Sequence, residues 1–219
     1  MHRSIRFRAE VVASGLLLGL AAPLSALPAR AVPSLSEVFY DAVGSDNGLS
    51  FVEIFGVAGS SLEGMTVEGV NGGDGQVGPK LTLTGVIPAD GLFVVADDAG
   101  GGVTQVANAD LILNFDFQNG PDSIVLRNGD LVLDAVGYGE FAPGEIFAGE
   151  GSPAADGAVG TSLARRFADV DTGNNAADFL VLDLPTPGVA PLSGVPEPAS
   201  AGLLGLGLVG LAKAGRRKR

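Results

Sequence analysis

Between Val32 and about Pro191, apolar residues recur at every second position in short runs, and each run is cut by glycine or by Asp and Asn. A side-chain period of two is that of a β-strand with one face turned to a core. An amphipathic helix needs the i, i+3, i+4, i+7 spacing over ten or more residues, and no stretch of this segment keeps it. The pattern restricts the segment to several short strands joined by turns, which is the signature of an all-β sandwich.

The runs can be placed individually. Leu35–Tyr40 is the first, and Ser50–Phe55 the second, with Val52 and Ile54 on one face and Glu53 on the other. Met65–Val70 and Leu81–Thr84 follow, and Leu92–Ala96 is nearly all apolar, as a central strand is. Leu111–Phe117 places Leu113, Phe115 and Phe117 opposite Asn114 and Asp116. Ser123–Asp134 reads as a hairpin turning on Asn128-Gly129, the pair that favours a type I′ turn. That turn would pair Leu126 with Leu131, Ile124 with Leu133, Arg127 with Asp130 and Val125 with Val132. Ala142–Gly160 is a long Gly/Ala/Pro-rich loop, Ser162–Phe167 a strand, Asp169–Asp178 a loop and Asp178–Leu182 a short extended run. No strict internal repeat is present.

Composition narrows the chemistry. From Val32 to Gly194 the chain has four basic residues (Lys80, Arg127, Arg165, Arg166) against 23 acids, a net charge of −19. Nucleic-acid binding needs Lys and Arg to neutralise phosphates, so it is excluded as a role. The chain has no Cys and its single His is His2. Disulfides, thiolate metal sites, a Cys nucleophile and a Ser-His-Asp triad are therefore ruled out for the body.

Both ends of the sequence are apolar, but they are built differently. Arg3, Arg6 and Arg8 precede the apolar run Val11–Ala22; Pro23 breaks it, and Ala29-Arg30-Ala31 offers small residues for cleavage. Residues 1–31 thus read as a secretory signal cut after Ala31. At the other end, Val195-Pro196-Glu197-Pro198 is stiff and extended, because proline fixes φ and biases its predecessor away from helix. Ala199–Ala212 carries no charge and, as a helix, spans roughly 21 Å against a hydrocarbon core of ~30 Å. Lys213 and Arg216-Arg217-Lys218-Arg219 form a basic stop that stays cytoplasmic. Pro-Glu-Pro, a Gly/Leu-rich helix and a terminal basic run together resemble the PEP-CTERM sorting signal of exopolysaccharide-producing Gram-negative bacteria. The resemblance implies recognition by an exosortase-type membrane protease-transpeptidase at the inner membrane. It also implies processing near Pro196-Glu197-Pro198 and delivery of the body to the surface or extracellular matrix.

A second resemblance covers roughly residues 33–190. Its elements are Ser36-Glu37-Val38 to Tyr40, Phe51-Val52-Glu53-Ile54, Leu62–Val67, Gly91–Val95, Asp122–Leu126 and Asp134-Ala135-Val136-Gly137-Tyr138-Gly139. Ser162–Arg166, Asn174-Asn175-Ala176-Ala177-Asp178-Phe179 and Pro185-Thr186-Pro187-Gly188 complete it. In this order they are similar to the lamin-tail domain of bacterial surface proteins. That similarity implies an immunoglobulin-like β-sandwich serving surface or membrane association, with insertions at Gly72–Pro79 and Ala142–Gly160. The expected organisation is a signal peptide (1–31), a lamin-tail-like domain (32–190), a Pro-rich linker (191–198), and a transmembrane helix with basic tail (199–219).

Asp169, Asp171, Asn174 and Asp178 have the oxygen-rich spacing of a Ca²⁺ loop. An EF-hand is excluded, because Gly173 falls at its fifth position and Leu180 at its twelfth. Turn capping by Asp and Asn side chains is the first reading and an irregular Ca²⁺ site the alternative. Asp41, Asp46 and Asn47 form a similar turn. The glycine clusters at Gly72-Gly73-Gly75 and Gly100-Gly101-Gly102 lack the strand-to-helix context of a phosphate loop. Asp97-Asp98 and Glu140, Glu145 and Glu150 could mimic a glycosidase pair, though chance pairs are expected among so many acids. Tyr138 is assigned to the core. Of Arg165-Arg166, one side chain is expected to be exposed and one paired to acids. The sequence thus reads as an exported, surface-sorted, non-enzymatic β-sandwich without a required cofactor. The alternative is a secreted acid-residue hydrolase or a Ca²⁺-dependent polysaccharide-binding protein, with extracellular polysaccharide as partner.

Overall fold

The alternating runs fold as strands, and what decides their mutual arrangement is which face of each run is buried. A computed structural model of the chain describes residues 32–193. Ala29 and Ala31, the Val195–Pro198 motif, the apolar segment after it and the basic residues from Lys213 to Arg219 lie outside the described residues. Among the described residues no helix is long and apolar enough to cross a membrane.

Among the described residues, ten strands form two sheets. They are Ser34–Phe39 (β1), Phe51–Phe55 (β2), Met65–Asn71 (β3), Val77–Thr82 (β4), Leu92–Asp97 (β5), Ala109–Leu113 (β6), Asp122–Asn128 (β7), Leu131–Tyr138 (β8), Ser162–Arg165 (β9) and Phe179–Leu182 (β10). The larger sheet has the order β10-β9-β1-β2-β5-β6 and the smaller β4-β3-β7-β8. All neighbours are antiparallel except β5 and β6, which run parallel. One helical turn, Asn175–Asp178 (α1), precedes β10. The body is thus mostly β, in two layers.

The core lies between the layers. Leu35, Val38, Val52, Ile54, Phe93 and Val95 of the large sheet meet Val67, Leu81, Ile124, Leu126 and Val136 of the small one. Burial of each such side chain contributes roughly 1.5–3 kcal/mol, so the facing layers, not local propensity, hold these short strands. Tyr40 and Tyr138 stack across the layers with ring centroids 4.3 Å apart, and Tyr138 is wholly buried, as expected. Val52 and Ile54 point into this core and Glu53 points the other way, also as expected, yet Glu53 is completely buried. The outer face of the large sheet is covered too, with Phe39, Phe51 and Val94 forming a second cluster beneath Leu49 and Val106.

Four local expectations are corrected. The β7–β8 hairpin turns on Gly129-Asp130, not on Asn128-Gly129: Asn128 pairs with Leu131 and Arg127 with Val132. Gly129 has φ +59° while Asn128 and Asp130 stay at negative φ, which is the requirement of a turn with glycine at its first central position. A bulge then pairs Leu126 with Asp134 and Ile124 with Val136. The shifted register leaves Leu131 63% exposed and turns Asp134 inward in line with Val136 and Tyr138. Second, the strand expected over Leu81–Thr84 is centred earlier, at Val77–Thr82, although Leu81 and Leu83 both reach the core. Third, β6 ends at Leu113, and Phe115 and Phe117 enter the core from irregular chain. Fourth, Asp178 ends α1 instead of opening a strand. The long loop at Ala142–Gly160 is present, with only a single bridge from Ala154 to Tyr138.

Candidate functional site

Arg165 is the last residue of β9, on the inward face with Leu163, and its side chain is fully buried. A buried guanidinium must satisfy five N–H donors. Nη2 donates to Asp134 at 2.6 Å, Nη1 to Asp178 at 3.1 Å, to Asp171 at 3.4 Å and to the Val170 carbonyl at 3.3 Å. Nε donates to the Leu35 carbonyl at 2.9 Å, and the guanidinium lies 4.6 Å from the centre of the Phe179 ring. Arg166, the next residue, is exposed and donates to the Ala177 carbonyl. The expected split of this pair, one arginine exposed and one held by acids, is what the fold contains.

The bulge in β8 gives Arg165 its principal partner. It aims Asp134 between the sheets, where Oδ2 also accepts the Leu35 amide at 2.6 Å. Burial pushes the Asp134 carboxyl up, while Arg165 and the Leu35 amide pull it back. For Asp178, burial is outweighed by the Thr172 hydroxyl and amide and by Arg165, which hold it below the usual carboxylate range. Glu150 stands beside this group, and burial, reinforced by Asp134 and Asp171, raises its carboxyl to about 7.

The four proposed Ca²⁺ ligands are divided among different partners. Asp171 and Asp178 bond Arg165, whereas Asp169 accepts the Ser193 amide and hydroxyl, both at 2.6 Å. Asn174 is the N-cap of α1 but makes no side-chain capping bond, and its Oδ1 is buried without a partner. A different trio comes closest to a cation geometry. Asp134, Glu150 and Asp171 each bring one oxygen within 4.8 Å of the others, and Glu150 Oε2 is buried without a partner. Oxygens around a hard cation at about 2.3–2.6 Å can stand that far apart, so the trio could hold one. It would compete with Arg165, which already bonds two of its members.

A second polar group clasps the chain on its way out of the body. A bulge at Ser36 places Ser36 and Glu37 on the outer face of the large sheet, beside Glu53. Glu37 accepts the Ser162 hydroxyl at 2.6 Å, the Thr186 amide at 2.8 Å and the Thr186 hydroxyl at 2.6 Å. Glu53 accepts the Ser36 hydroxyl at 2.5 Å and the Gly188 amide at 2.6 Å. Burial, opposed by these two donors, raises the Glu53 carboxyl to about 7. Asn108 donates to the Pro187 carbonyl at 2.9 Å. The segment Thr186–Gly188 is thereby strapped across the sheet. Beyond it, the Ala168 amide donates to the Pro191 carbonyl at 2.8 Å. Ser34, near the other end of the described segment, donates to the Ala168 carbonyl at 3.4 Å, so both ends leave from the same corner.

Several of the remaining acids cap loops. Asp97 accepts the Gly48 and Phe115 amides, Asp98 the Gly100, Gly102 and Val103 amides, Asp46 the Ala42 amide, and Glu145 the Ala142 amide. Glycine-rich loops outside a ladder need such acceptors, which gives the acidic composition a structural use without a ligand. Lys80 and Arg127 both pair with Glu68, so with Arg165 three of the four cations among the described residues are in ion pairs.

The sequence reading did not find Glu37, Glu53, Asp134 or Asn175. Asn175 is fully buried and completes the free edge of β8: its Oδ1 accepts the Gly137 and Glu150 amides, and its Nδ2 donates to the Ala135 carbonyl. A signal for Glu53 was available, because Phe51 and Phe55 flank it on the same face, and an apolar outer face must be covered. Asp134 had no such signal, since its position depends on the bulge.

No curated protein and no solved structure matches the chain. The resemblance of residues 33–190 to a lamin-tail domain has no counterpart among the matched families. One family model does match, beginning directly after Ser193, and its motif supports export and sorting by exosortase, a membrane enzyme of Gram-negative bacteria. Over residues 194–219 the chain carries a PEP-CTERM protein-sorting motif.

Proposed function

We propose that the chain is exported through its N-terminal signal, held at the inner membrane by residues 199–219, and processed near Val195-Pro196-Glu197-Pro198 by an exosortase-type transpeptidase. The body then reaches the cell surface or extracellular matrix as a non-catalytic, immunoglobulin-like structural or binding module. The observation that carries this reading is the PEP-CTERM match immediately following the body. The non-catalytic part draws support from Asp97 and Asp98, which are occupied as loop caps, and from Asp134 and Asp178, which are occupied by Arg165. Replacing Pro196-Glu197-Pro198 by Ala and following size and location in the host tests it. Loss of processing is expected; unchanged processing refutes the sorting assignment. Turnover of polysaccharide by the purified body would refute the non-catalytic one.

The unpartnered oxygens of Glu150 and Asn174 favour a second reading, Ca²⁺-dependent polysaccharide binding at the Asp134–Glu150–Asp171 trio. Thermal unfolding with and without millimolar Ca²⁺ separates the two. A raised midpoint supports the second reading, and an unmoved curve removes it.

A further inference from the structure

The strap has two parts of different strength. The inner part, Thr186–Gly188, is held by Glu37 and Glu53, both buried beneath it. The outer part, residues 189–193, is held by the Ala168–Pro191 bond and by Asp169 on Ser193. Asp169, Pro191 and Ser193 are exposed, and so are Val189 at 64% and Leu192 at 55%. Peeling the outer part away therefore uncovers little apolar surface and exchanges its hydrogen bonds for water, whereas peeling the inner part strands two buried carboxylates.

The sorting motif starts at residue 194, directly after this outer part. From Ser193 to Ala199 is six residues, at most about 20 Å of extended chain. An enzyme that reads an extended peptide engages residues on both sides of the bond it cuts, and it does so through the peptide's own N–H and C=O groups. On the N-terminal side of the motif, the described residues nearest to it are Pro191, which the Ala168 amide holds, and Ser193, which Asp169 holds.

We propose that Asp169, with the Ala168 amide, is a releasable latch that withholds the N-terminal flank of the sorting motif from the processing enzyme. Opening the latch frees residues 189–193 for the enzyme, while the Glu37–Glu53 clasp keeps the body folded. Asp169 is a positioning residue: it acts on access alone, while the enzyme's nucleophile breaks a peptide bond of the precursor, takes its acyl carbon and releases the amine with the C-terminal segment. The inference rests on the sorting function proposed above.

The test uses the full-length precursor in membranes from its host, with initial processing rates measured against precursor concentration. A closed latch raises the apparent KM by the inverse of the open fraction. Asp169→Ala is expected to lower KM about tenfold, with kcat and the unfolding midpoint unchanged. Asp169→Asn, which keeps an acceptor for the Ser193 amide, should lie closer to the wild type. A wild-type KM for Asp169→Ala overturns the latch, provided the Pro196-Glu197-Pro198→Ala control blocks processing. If that control is processed normally, the sorting assignment fails instead, and the latch is judged by limited proteolysis of purified protein. There Asp169→Ala should be nicked after Leu192 by chymotrypsin about tenfold faster than the wild type. Equal nicking overturns the latch whatever the processing result.

Discussion

Glu53→Gln should make the body more stable at pH 8 and leave it nearly unchanged at pH 5. Glu53 is wholly buried on the outer face of the large sheet, with Ser36 and Gly188 as its two donors. Burial raises its carboxyl from 4.5 to about 7. The native state therefore binds this proton more tightly than the unfolded chain. The stabilisation is complete below pH 4.5 and is lost as pH rises through about 7. At 1.36 kcal/mol per pH unit, that shift corresponds to about 3 kcal/mol of stability lost by pH 8. Glutamine is neutral throughout, keeps an oxygen for the Gly188 amide and offers an amide N–H to the Ser36 hydroxyl. Allowing about 1 kcal/mol for a poorer hydrogen bond, the variant should gain about 2 kcal/mol at pH 8. Urea unfolding of residues 32–194 at pH 5, 6, 7 and 8 measures the difference between the two proteins. Glu150, also held at about 7, adds a slope of the same sign to both proteins, so the difference isolates Glu53. A difference that stays flat from pH 5 to 8, or a variant about 2 kcal/mol less stable at pH 8, would refute the reasoning.

Other substitutions test the rest of the fold. Arg165→Leu leaves Asp134, Asp171 and Asp178 without their common cation and should cost about 3–5 kcal/mol in urea unfolding. Arg165→Lys should restore only part of that loss, since an ammonium cannot reach Leu35, Asp134 and Asp178 together. In the hairpin, Gly129→Ala should cost about 1–2 kcal/mol because φ is +59° there, while Asn128→Ala stays within about 0.5 kcal/mol; a cost of about 1 kcal/mol at both positions would place the turn on Asn128-Gly129. Asn175→Ala strips partners from the Gly137 amide, the Glu150 amide and the Ala135 carbonyl, and should cost about 3 kcal/mol, read as a lower denaturation midpoint at unchanged slope.

Strand existence was legible because it is local. Val52 and Ile54, Phe93 and Val95, and Ile124 and Leu126 each face the core as their alternation indicates. The hairpin register was not legible to the residue. Asn128-Gly129 and Gly129-Asp130 are both acceptable turn pairs, and only the packing of Val136 and Tyr138 against the large sheet selects the second. The site residues divide in the same way. Arg165 between acids could be read from two adjacent arginines in an acidic body, but its partner Asp134 lies 31 residues away and arrives through a bulge.

By itself the sequence determined the layer class of the body, the exclusion of imidazole and thiol chemistry, and the sorting motif at residues 194–219. These follow from period, composition and contiguous motif, all properties of neighbouring residues. Tertiary structure alone decided that Glu37 and Glu53 are buried clasps, that Asp169 goes to Ser193 while Asp171 and Asp178 go to Arg165, and that the strap ends where the sorting motif begins. The physical reason is that a carboxylate's role depends on which donors reach it. Here those donors come from strands and loops as far as 149 residues apart, brought together only when the two sheets close on their core.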